Sequence, residues 1–273
     1  MKRKKRLRLK KKVKINFFIT LCLIGIIFSS YKIINWYLDS QETKKIQEKF
    51  DEPKVVIDNE NTEIVQQEET IDEKNPYWDY IKMSLIDVDF KSLKETNSDT
   101  VGWIKVEGTN INYPFVQTDN NTFYLDHSIS KSKNSAGWVF LDYRNNIKDL
   151  NKNTILYAHN RVDKIMFGTL ENILKTSWIN NTNNYIVKMS TETENTLWQV
   201  FSVYNIKETN DYLRINFNGD DDYEKFLNML ISRSEHNFNT IINANDKILT
   251  LSTCHKDDER TVLHAKLIKY QKK

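Results

Sequence analysis

Residues 248–254 read Ile248-Leu249-Thr250-Leu251-Ser252-Thr253-Cys254, an apolar run that ends on a cysteine. This run predicts a β-strand, the polar segment 255–259 predicts a turn, and residues 261–268 predict a second strand beside the first. The last residue of a strand can present its side chain at the rim of a sheet. Cys254 is therefore a candidate reactive thiol, and a buried, inert core cysteine is the alternative.

The sequence upstream of this run has the same pattern of short strands separated by Gly, Asn and Asp turns. Apolar residues at helical spacing also predict a few helices. The predicted strands are 101–106, 111–117, 138–141, 154–159, 185–189 and 197–206, and the predicted helices lie near 77–85, 166–174 and 221–232. The sum predicts a mostly β domain with a few helices, organised as a closed or nearly closed β-barrel.

Two residues are candidate partners for Cys254. A nearby base or cation favours the thiolate form of cysteine, and His159 ends its predicted strand just as Cys254 does. Arg260 begins the strand after the turn, and a guanidinium can stabilise the negative charge that develops when an amide is attacked. The structural alternative for Arg260 is a solvated strand-edge residue. His264 lies within a predicted strand, which favours a structural role.

The N-terminal 38 residues form a separate unit. Residues 1–14 contain ten of the 40 Lys and Arg residues, and residues 15–31 contain no charge. Extended to residue 38 through Trp36 and Tyr37, the apolar segment is within the roughly 17 to 25 residues that span a bilayer. We expect a cytoplasmic tail (1–14), a transmembrane signal anchor (15–38) and, by the positive-inside rule, an extracellular remainder. A cleaved signal peptide is the alternative.

Residues 39–273 differ from the N-terminal unit in charge and composition. Residues 39–75 are rich in charge and poor in aromatics, which predicts a stalk that is at most partly helical, before a folded domain at 76–273. Outside the tail, 37 Asp and Glu residues outnumber the Lys and Arg residues, so nucleic-acid binding is not expected. The sequence contains no glycine-rich phosphate loop. We expect no cofactor and no metal.

Cysteine usage points to reactivity at Cys254. The other cysteine, Cys22, lies in the apolar segment, so Cys254 is alone in the predicted exported part. Exported cysteines usually pair into disulfides. An unpaired one is either buried or retained for its chemistry.

These segments together resemble the class B sortases. The run 250–254 matches the Thr-Leu-x-Thr-Cys signature of sortases, 260–266 resembles the arginine strand, and 153–160 resembles the histidine strand. Further matching segments are Val101–Ile104, Tyr113-Pro114, Asn121–Leu125, Phe140–Asn145 and Met166–Leu170, so the resemblance covers about residues 76 to 270. The predicted helix 221–232 falls between the sixth and seventh strands, where class B sortases carry an inserted helix. The chain departs from its relatives at Ala158, often glycine, in the short turn after Cys254, and at His255, which is acidic in some relatives.

The resemblance implies a cysteine transpeptidase anchored in a bacterial membrane. Cys254 would attack the carbonyl after threonine in the C-terminal sorting signal of a secreted protein, with Arg260 facing the oxyanion. His159 would protonate the leaving amine and then deprotonate an amino group of a peptidoglycan precursor, which resolves the thioester. The same resemblance implies that Asn121, Leu125 and Ser252 line the peptide groove.

Three other functions remain open from the sequence. Another exported cysteine peptidase is one, although such enzymes usually place cysteine before histidine in the chain. A catalytically silent, membrane-tethered binding module with the same barrel is the second. A pilin-polymerising sortase is the third, and no lid-like motif precedes the predicted barrel.

Overall fold

The computed structural model describes residues 2–65, 76–254 and 259–273. Its α-helices are α1 (Lys2–Gln47), α2 (Tyr77–Tyr80), α3 (Phe90–Thr96), α4 (Thr176–Ile179) and α5 (Asp220–Arg233), and 3₁₀ turns lie at Phe123–Leu125, Leu170–Leu174 and Thr182–Asn184. Its strands are β1 (Lys54–Val56), β2 (Thr62–Ile64), β3 (Leu85–Asp87), β4 (Thr100–Val106), β5 (Asn112–Val116), β6 (Phe140–Leu141), β7 (Asn153–Ala158), β8 (Ile186–Thr191), β9 (Glu194–Lys207), β10 (Ile248–Cys254) and β11 (Glu259–Lys272).

Eight of these strands close into a barrel. Around the ring they follow the order β10, β7, β6, β5, β4, β8, β9 and β11, and the antiparallel pairing of β11 with β10 closes it. In the described part of the chain, α5 lies between β9 and β10, the sixth and seventh barrel strands in chain order. The predicted mostly β fold, its closed barrel and its inserted helix are therefore confirmed.

Strand β10 is buried on both faces. Leu249 and Leu251 belong to the main apolar core and have no exposed surface. On the opposite face, the Thr250 hydroxyl donates to Asn153 Oδ1 at 2.7 Å and lies 2.9 Å from His264 Nδ1. Because buried polar groups are costly unless they are hydrogen-bonded, these contacts fix the register of β10 against β7.

His264 has the structural role that its place within a strand predicted. Its Nε2 lies 2.8 Å from the Tyr204 hydroxyl, and its side chain is fully buried. Burial lowers the pKa of His264 to about 3, and the positive charge of Arg233 contributes less. The ring is therefore neutral near pH 7 and is closed off from solvent, so it does not compete with His159 for acid/base work.

Two predicted helices are shorter than their apolar spacing suggested. The helix predicted over 77–85 ends at Tyr80, and Leu85 begins β3, which pairs with β1. Within 166–174 only the 3₁₀ segment Leu170–Leu174 forms. Met166 has a φ of 53°, a left-handed conformation, so no helix begins at that residue. The backbone N–H of Met166 donates to the buried Tyr113 hydroxyl at 3.1 Å, so a long-range contact overrides the local pattern.

Residues 39–65 pack against the barrel, in contrast to the stalk expected over 39–75. Helix α1 continues to Gln47, and β2 adds to the outer edge of β11. Between them Phe50 contacts the rings of Trp103 and Trp138, at centroid distances of 6.3 and 6.4 Å. The segment has few apolar residues of its own, but the barrel offers it a free strand edge and buried rings. The remaining stalk residues, 66–75, lie outside the described residues, and the domain boundary at 76 stays a prediction.

The first part of α1 is long and apolar enough to cross a membrane. Among its described side chains, which start at residue 12, the large apolar residues of the 15–38 segment are mostly exposed, including Phe17 and Phe28. A helix of this kind fits a single N-terminal membrane anchor.

Candidate active site

The backbone brings the three predicted catalytic residues to one end of the barrel. Strands β7 and β10 run parallel, with Thr253 opposite Ala158, so the next residue of each strand is Cys254 and His159 respectively. Across the antiparallel pair, Cys254 is the direct partner of Arg260. Adjacent strands are about 4.8 Å apart, so the three backbones lie side by side. The side chain of Cys254 and residues 255–258, including His255, lie outside the described part of the structure.

His159 is oriented by a main-chain carbonyl. Its Nε2 lies 2.6 Å from the oxygen of Leu125, and because a carbonyl only accepts, Nε2 carries the proton. Nδ1 is therefore the ring nitrogen available for acid/base chemistry. The loop that follows His159 folds back, since the N–H of Phe167 donates to the His159 carbonyl at 3.1 Å. This closure holds the half-buried imidazole at the mouth of the barrel.

Arg260 is held on one side by a carboxylate. Its Nη2 donates to Glu208 Oε1 at 2.8 Å, and its Nη1 donates to the Glu259 carbonyl at 3.3 Å. Glu208 follows β9, and its side chain is 59% exposed. An ion pair with one exposed partner contributes about 1 kcal/mol or less. The contact therefore orients the guanidinium but leaves it able to bind a substrate oxygen.

A groove of about 280 Å³ opens beside these residues. His159 and Arg260 both line it, as do the three residues predicted to contact a peptide, Asn121, Leu125 and Ser252. Its other walls are formed by Phe140, Tyr157, Ala158, Glu208, Thr209, Asn210, Tyr212, Leu213 and Thr253. The lining thus combines apolar surface with a few polar groups, which is typical of a ligand-binding cleft.

A buried carboxylate supports one wall of the groove. Asp142 accepts from Arg144 Nε and Nη2 at 2.8 and 2.7 Å, from the Tyr157 hydroxyl at 2.9 Å and from Asn121 Nδ2 at 3.1 Å. Burial would raise the pKa of Asp142, but the hydrogen bonds from Arg144 and Tyr157 outweigh it and hold that pKa below its usual range. Burial, with the negative charge of Asp142, raises the pKa of Tyr157 well above its usual value. The carboxylate is therefore ionised and the phenol neutral.

The same network fixes the amide of Asn121. While its Nδ2 donates to Asp142, its Oδ1 accepts from the backbone N–H of Tyr143 at 3.0 Å. On the opposite wall, the buried Ser252 hydroxyl lies 2.9 Å from that of Tyr212. Both predicted groove residues thus have their polar groups oriented before any ligand binds.

The contacts of several groove residues could not be predicted from the sequence. Tyr157 occupies the strand that ends at His159, and Asp142 lies in a segment quoted for its family resemblance, but neither position showed which group it would contact. Glu208 is 52 residues from Arg260 in the chain, and no local signal connects them. Among the described residues, no cluster of three or more metal-ligating side chains is found.

Comparison with known proteins gives consistent matches. The family model described as the Sortase domain matches residues 104–268. Sortase B of Staphylococcus aureus (strain NCTC 8325 / PS 47) is 33% identical over 253 residues, which covers 91% of this chain and 94% of that protein. The solved structure of a sortase B complexed with triglycine is 38% identical with a TM-score of 0.63, covering 66% of this chain and 85% of the other. The Staphylococcus aureus sortase B-substrate complex is 38% identical with a TM-score of 0.62, at 66% and 84% coverage.

Proposed function

This chain belongs to the sortase B family of cysteine transpeptidases, and from that premise we propose that it cleaves a C-terminal sorting signal after threonine and joins the new carboxyl end to a cell-wall amino group. One observation carries the proposal: the register that sets Cys254 beside both His159 and Arg260, at the end of the barrel where the groove opens.

The first half of the reaction forms a thioester. The Cys254 thiolate attacks the carbonyl carbon after threonine, and the negative charge that moves to oxygen faces Arg260. His159, as imidazolium, gives the Nδ1 proton to the leaving amine as the peptide bond breaks. The products are an acyl-enzyme and a free amine.

The second half transfers the acyl group. An incoming amine attacks the thioester carbonyl, neutral His159 takes its proton, and the tetrahedral intermediate collapses with loss of the thiolate. The thiolate and imidazolium are thereby restored. The Nε2 contact with the Leu125 carbonyl supports this assignment, since it leaves Nδ1 to carry both proton transfers.

The two substrates are proposed from the relatives and from the groove. One sortase B structure is a complex with substrate and another is a complex with triglycine, which supports a peptide sorting signal and a glycine-type amine respectively. We assign Asn121, Leu125 and Ser252 to the peptide because they line the groove together with His159 and Arg260. Secreted proteins that carry the signal, and a peptidoglycan precursor, are then the partners.

We also propose that α1 anchors the enzyme with its N terminus in the cytoplasm and its barrel outside. The basic tail favours this orientation. We propose that the anchor is retained rather than cleaved off. The continuity of α1, whose residues Ser40 and Thr43 are buried against the body, supports this.

The test is turnover of a small library of sorting peptides by the full chain in detergent micelles, with products identified by mass. We expect cleavage after threonine, lost in Cys254→Ala, His159→Ala and Arg260→Ala. Asp149→Asn, at an exposed surface position, is the matched control and should retain activity. Turnover by Cys254→Ala would contradict the proposal, and failure of a thiol-reactive probe to label Cys254 selectively at neutral pH would favour the silent binding module.

A further inference from the structure

Helix α1 contacts the barrel at the end of its apolar segment and in the turns that follow. The Trp36 ring lies against the Arg161 guanidinium, 5.1 Å from ring centroid to Cζ. One turn later, Asp39 accepts from the backbone N–H and the hydroxyl of Ser135, at 2.9 and 2.5 Å. Glu42 then accepts from Asn134 Nδ2 at 3.2 Å. The body contributes two loops to these contacts, 126–135 and 161–164, which together we name the helix-side face.

The geometry of α1 determines how far these contacts lie from the hydrocarbon core of the bilayer. A hydrocarbon core of about 30 Å takes about 20 residues at 1.5 Å each, so a span beginning at Ile15 ends near residue 34. The headgroup layer adds about 5 to 8 Å, or about three to five more residues of helix. Trp36 and Asp39 fall within that layer, and so do the loops that they contact. Resting on the anchor proposed above, we propose that the helix-side face lies on the surface of the bilayer that α1 crosses.

The composition of the face suits a lipid surface. Val162, in the second loop, is 80% exposed although it is apolar. Between α1 and the first loop lies an open cavity of about 700 Å³, lined on the α1 side by Lys32, Ile33 and Trp36 and on the loop side by groups that include Asp126 and Lys133. Apolar and aromatic side chains beside lysines are typical of the membrane interface, where the apolar groups lie toward the hydrocarbon and the ammonium groups extend toward water.

The charges of the face do not favour one lipid class. Lys131 pairs with Asp99 at 2.9 Å, and Lys164 pairs with Glu171 at 2.6 Å. Because these lysines are already neutralised, the covalent link to α1 holds the face on the membrane rather than attraction to anionic lipid. The contact should therefore form equally on zwitterionic bilayers and change little with salt.

This placement has a consequence for the active site. Arg161 follows His159 by two residues, and Asp126 directly follows Leu125, whose carbonyl orients His159. The His159 end of the groove therefore opens close to the bilayer. The sorting signal of a substrate is therefore cleaved close to the membrane surface.

The test measures proximity to lipid at three labelled positions. A fluorophore is attached at Val162→Cys, Ile241→Cys or Phe28→Cys in the full chain carrying Cys22→Ser and Cys254→Ser, reconstituted in phosphatidylcholine bilayers that contain nitroxide lipids. Ile241 is the matched control, because it is apolar, 41% exposed, and precedes β10 at the end of the barrel opposite Cys254. Phe28 reports whether α1 is inside the bilayer. Equal melting temperatures of the three proteins exclude misfolding.

We expect headgroup nitroxide to quench the Val162 label at least twofold more than the Ile241 label, and acyl-chain nitroxide to quench the Phe28 label. Quenching at Phe28 with equal quenching at Val162 and Ile241 would overturn the membrane contact and leave the anchor intact. Absence of quenching at Phe28 would overturn both. Peptide turnover by the unmodified chain is measured separately, so the transpeptidase proposal and this contact can fail independently.

Discussion

Replacing Asp142 by Asn should destabilise the barrel strongly, although the two side chains are nearly equal in size. The carboxylate has no exposed surface, and its oxygens accept five hydrogen bonds, two from the Arg144 side chain, one from the Arg144 backbone, one from Tyr157 and one from Asn121. An amide keeps one accepting oxygen and points a donor at the remaining donors. At least two bonds to a charged acceptor are lost, each worth about 1.5 to 3 kcal/mol. Because Arg144 is 37% exposed and can be rehydrated, we take the lower end of that range, a total of about 3 kcal/mol.

The measurement is urea unfolding of the full chain in micelles, with the free energy of unfolding compared at pH 7. Asp149→Asn is the control, because that carboxylate is exposed and its loss should change stability by about 0.5 kcal/mol or less. The folded-state pKa of Asp142 is depressed, so its contribution exists above the unfolded-state pKa of about 4 and is lost as pH falls through the lower folded-state value. The penalty of Asp142→Asn should accordingly shrink in acid. A penalty below about 1 kcal/mol at pH 7 would refute the assigned network.

Three further changes have expected outcomes. Thr250→Val removes the hydroxyl that joins Asn153 to His264. The buried polar groups that lose this partner should lower the free energy of unfolding by about 1 to 3 kcal/mol. An unchanged free energy in urea unfolding would show that these contacts do not stabilise the fold. Because the pKa of His264 is lowered to about 3, the unfolded chain binds a proton below pH 6.5 that the folded chain does not bind, so stability should fall by about 1.7 kcal/mol between pH 6.5 and 5, a loss that His264→Gln abolishes. Arg260→Lys keeps the charge but not the planar pair of donors, so kcat in the peptide assay should drop about 10-fold or more while stability changes by under about 1 kcal/mol; unchanged kcat would remove Arg260 from oxyanion binding.

The strands that carry the chemistry could be predicted from the sequence because their signals are local. The run 248–254 is apolar, ends in a polar turn and forms β10 with the same bounds, and the apolar face of 221–232 forms α5 one residue longer at each end. Burial of these faces stabilises the barrel without contradicting any local preference. Agreement between local pattern and fold is what makes such segments predictable.

Other features depend on residues far apart in the chain. Pairing of β7 with β10 joins segments about 95 residues apart, and neither strand indicates its partner or its register. The composition of residues 39–75 predicted a stalk, because the segment has few apolar groups of its own to bury. Within it, residues 39–65 are ordered by contacts that composition does not reveal, with the edge of β11 and with the rings around Phe50. The ion pair of Arg260 with Glu208 and the five bonds to Asp142 likewise exist only after the barrel closes.

The central claim is that Cys254 carries the acyl group between two substrates at this rim. It is tested most directly by mixing the full chain with a sorting peptide, without an amine acceptor, and measuring the intact mass. The account predicts a mass increase equal to the acyl half of the peptide, mapped to Cys254 after digestion and discharged by triglycine with formation of the ligated peptide. An adduct on another residue, an adduct that triglycine leaves in place, or the same adduct in Cys254→Ala would contradict it.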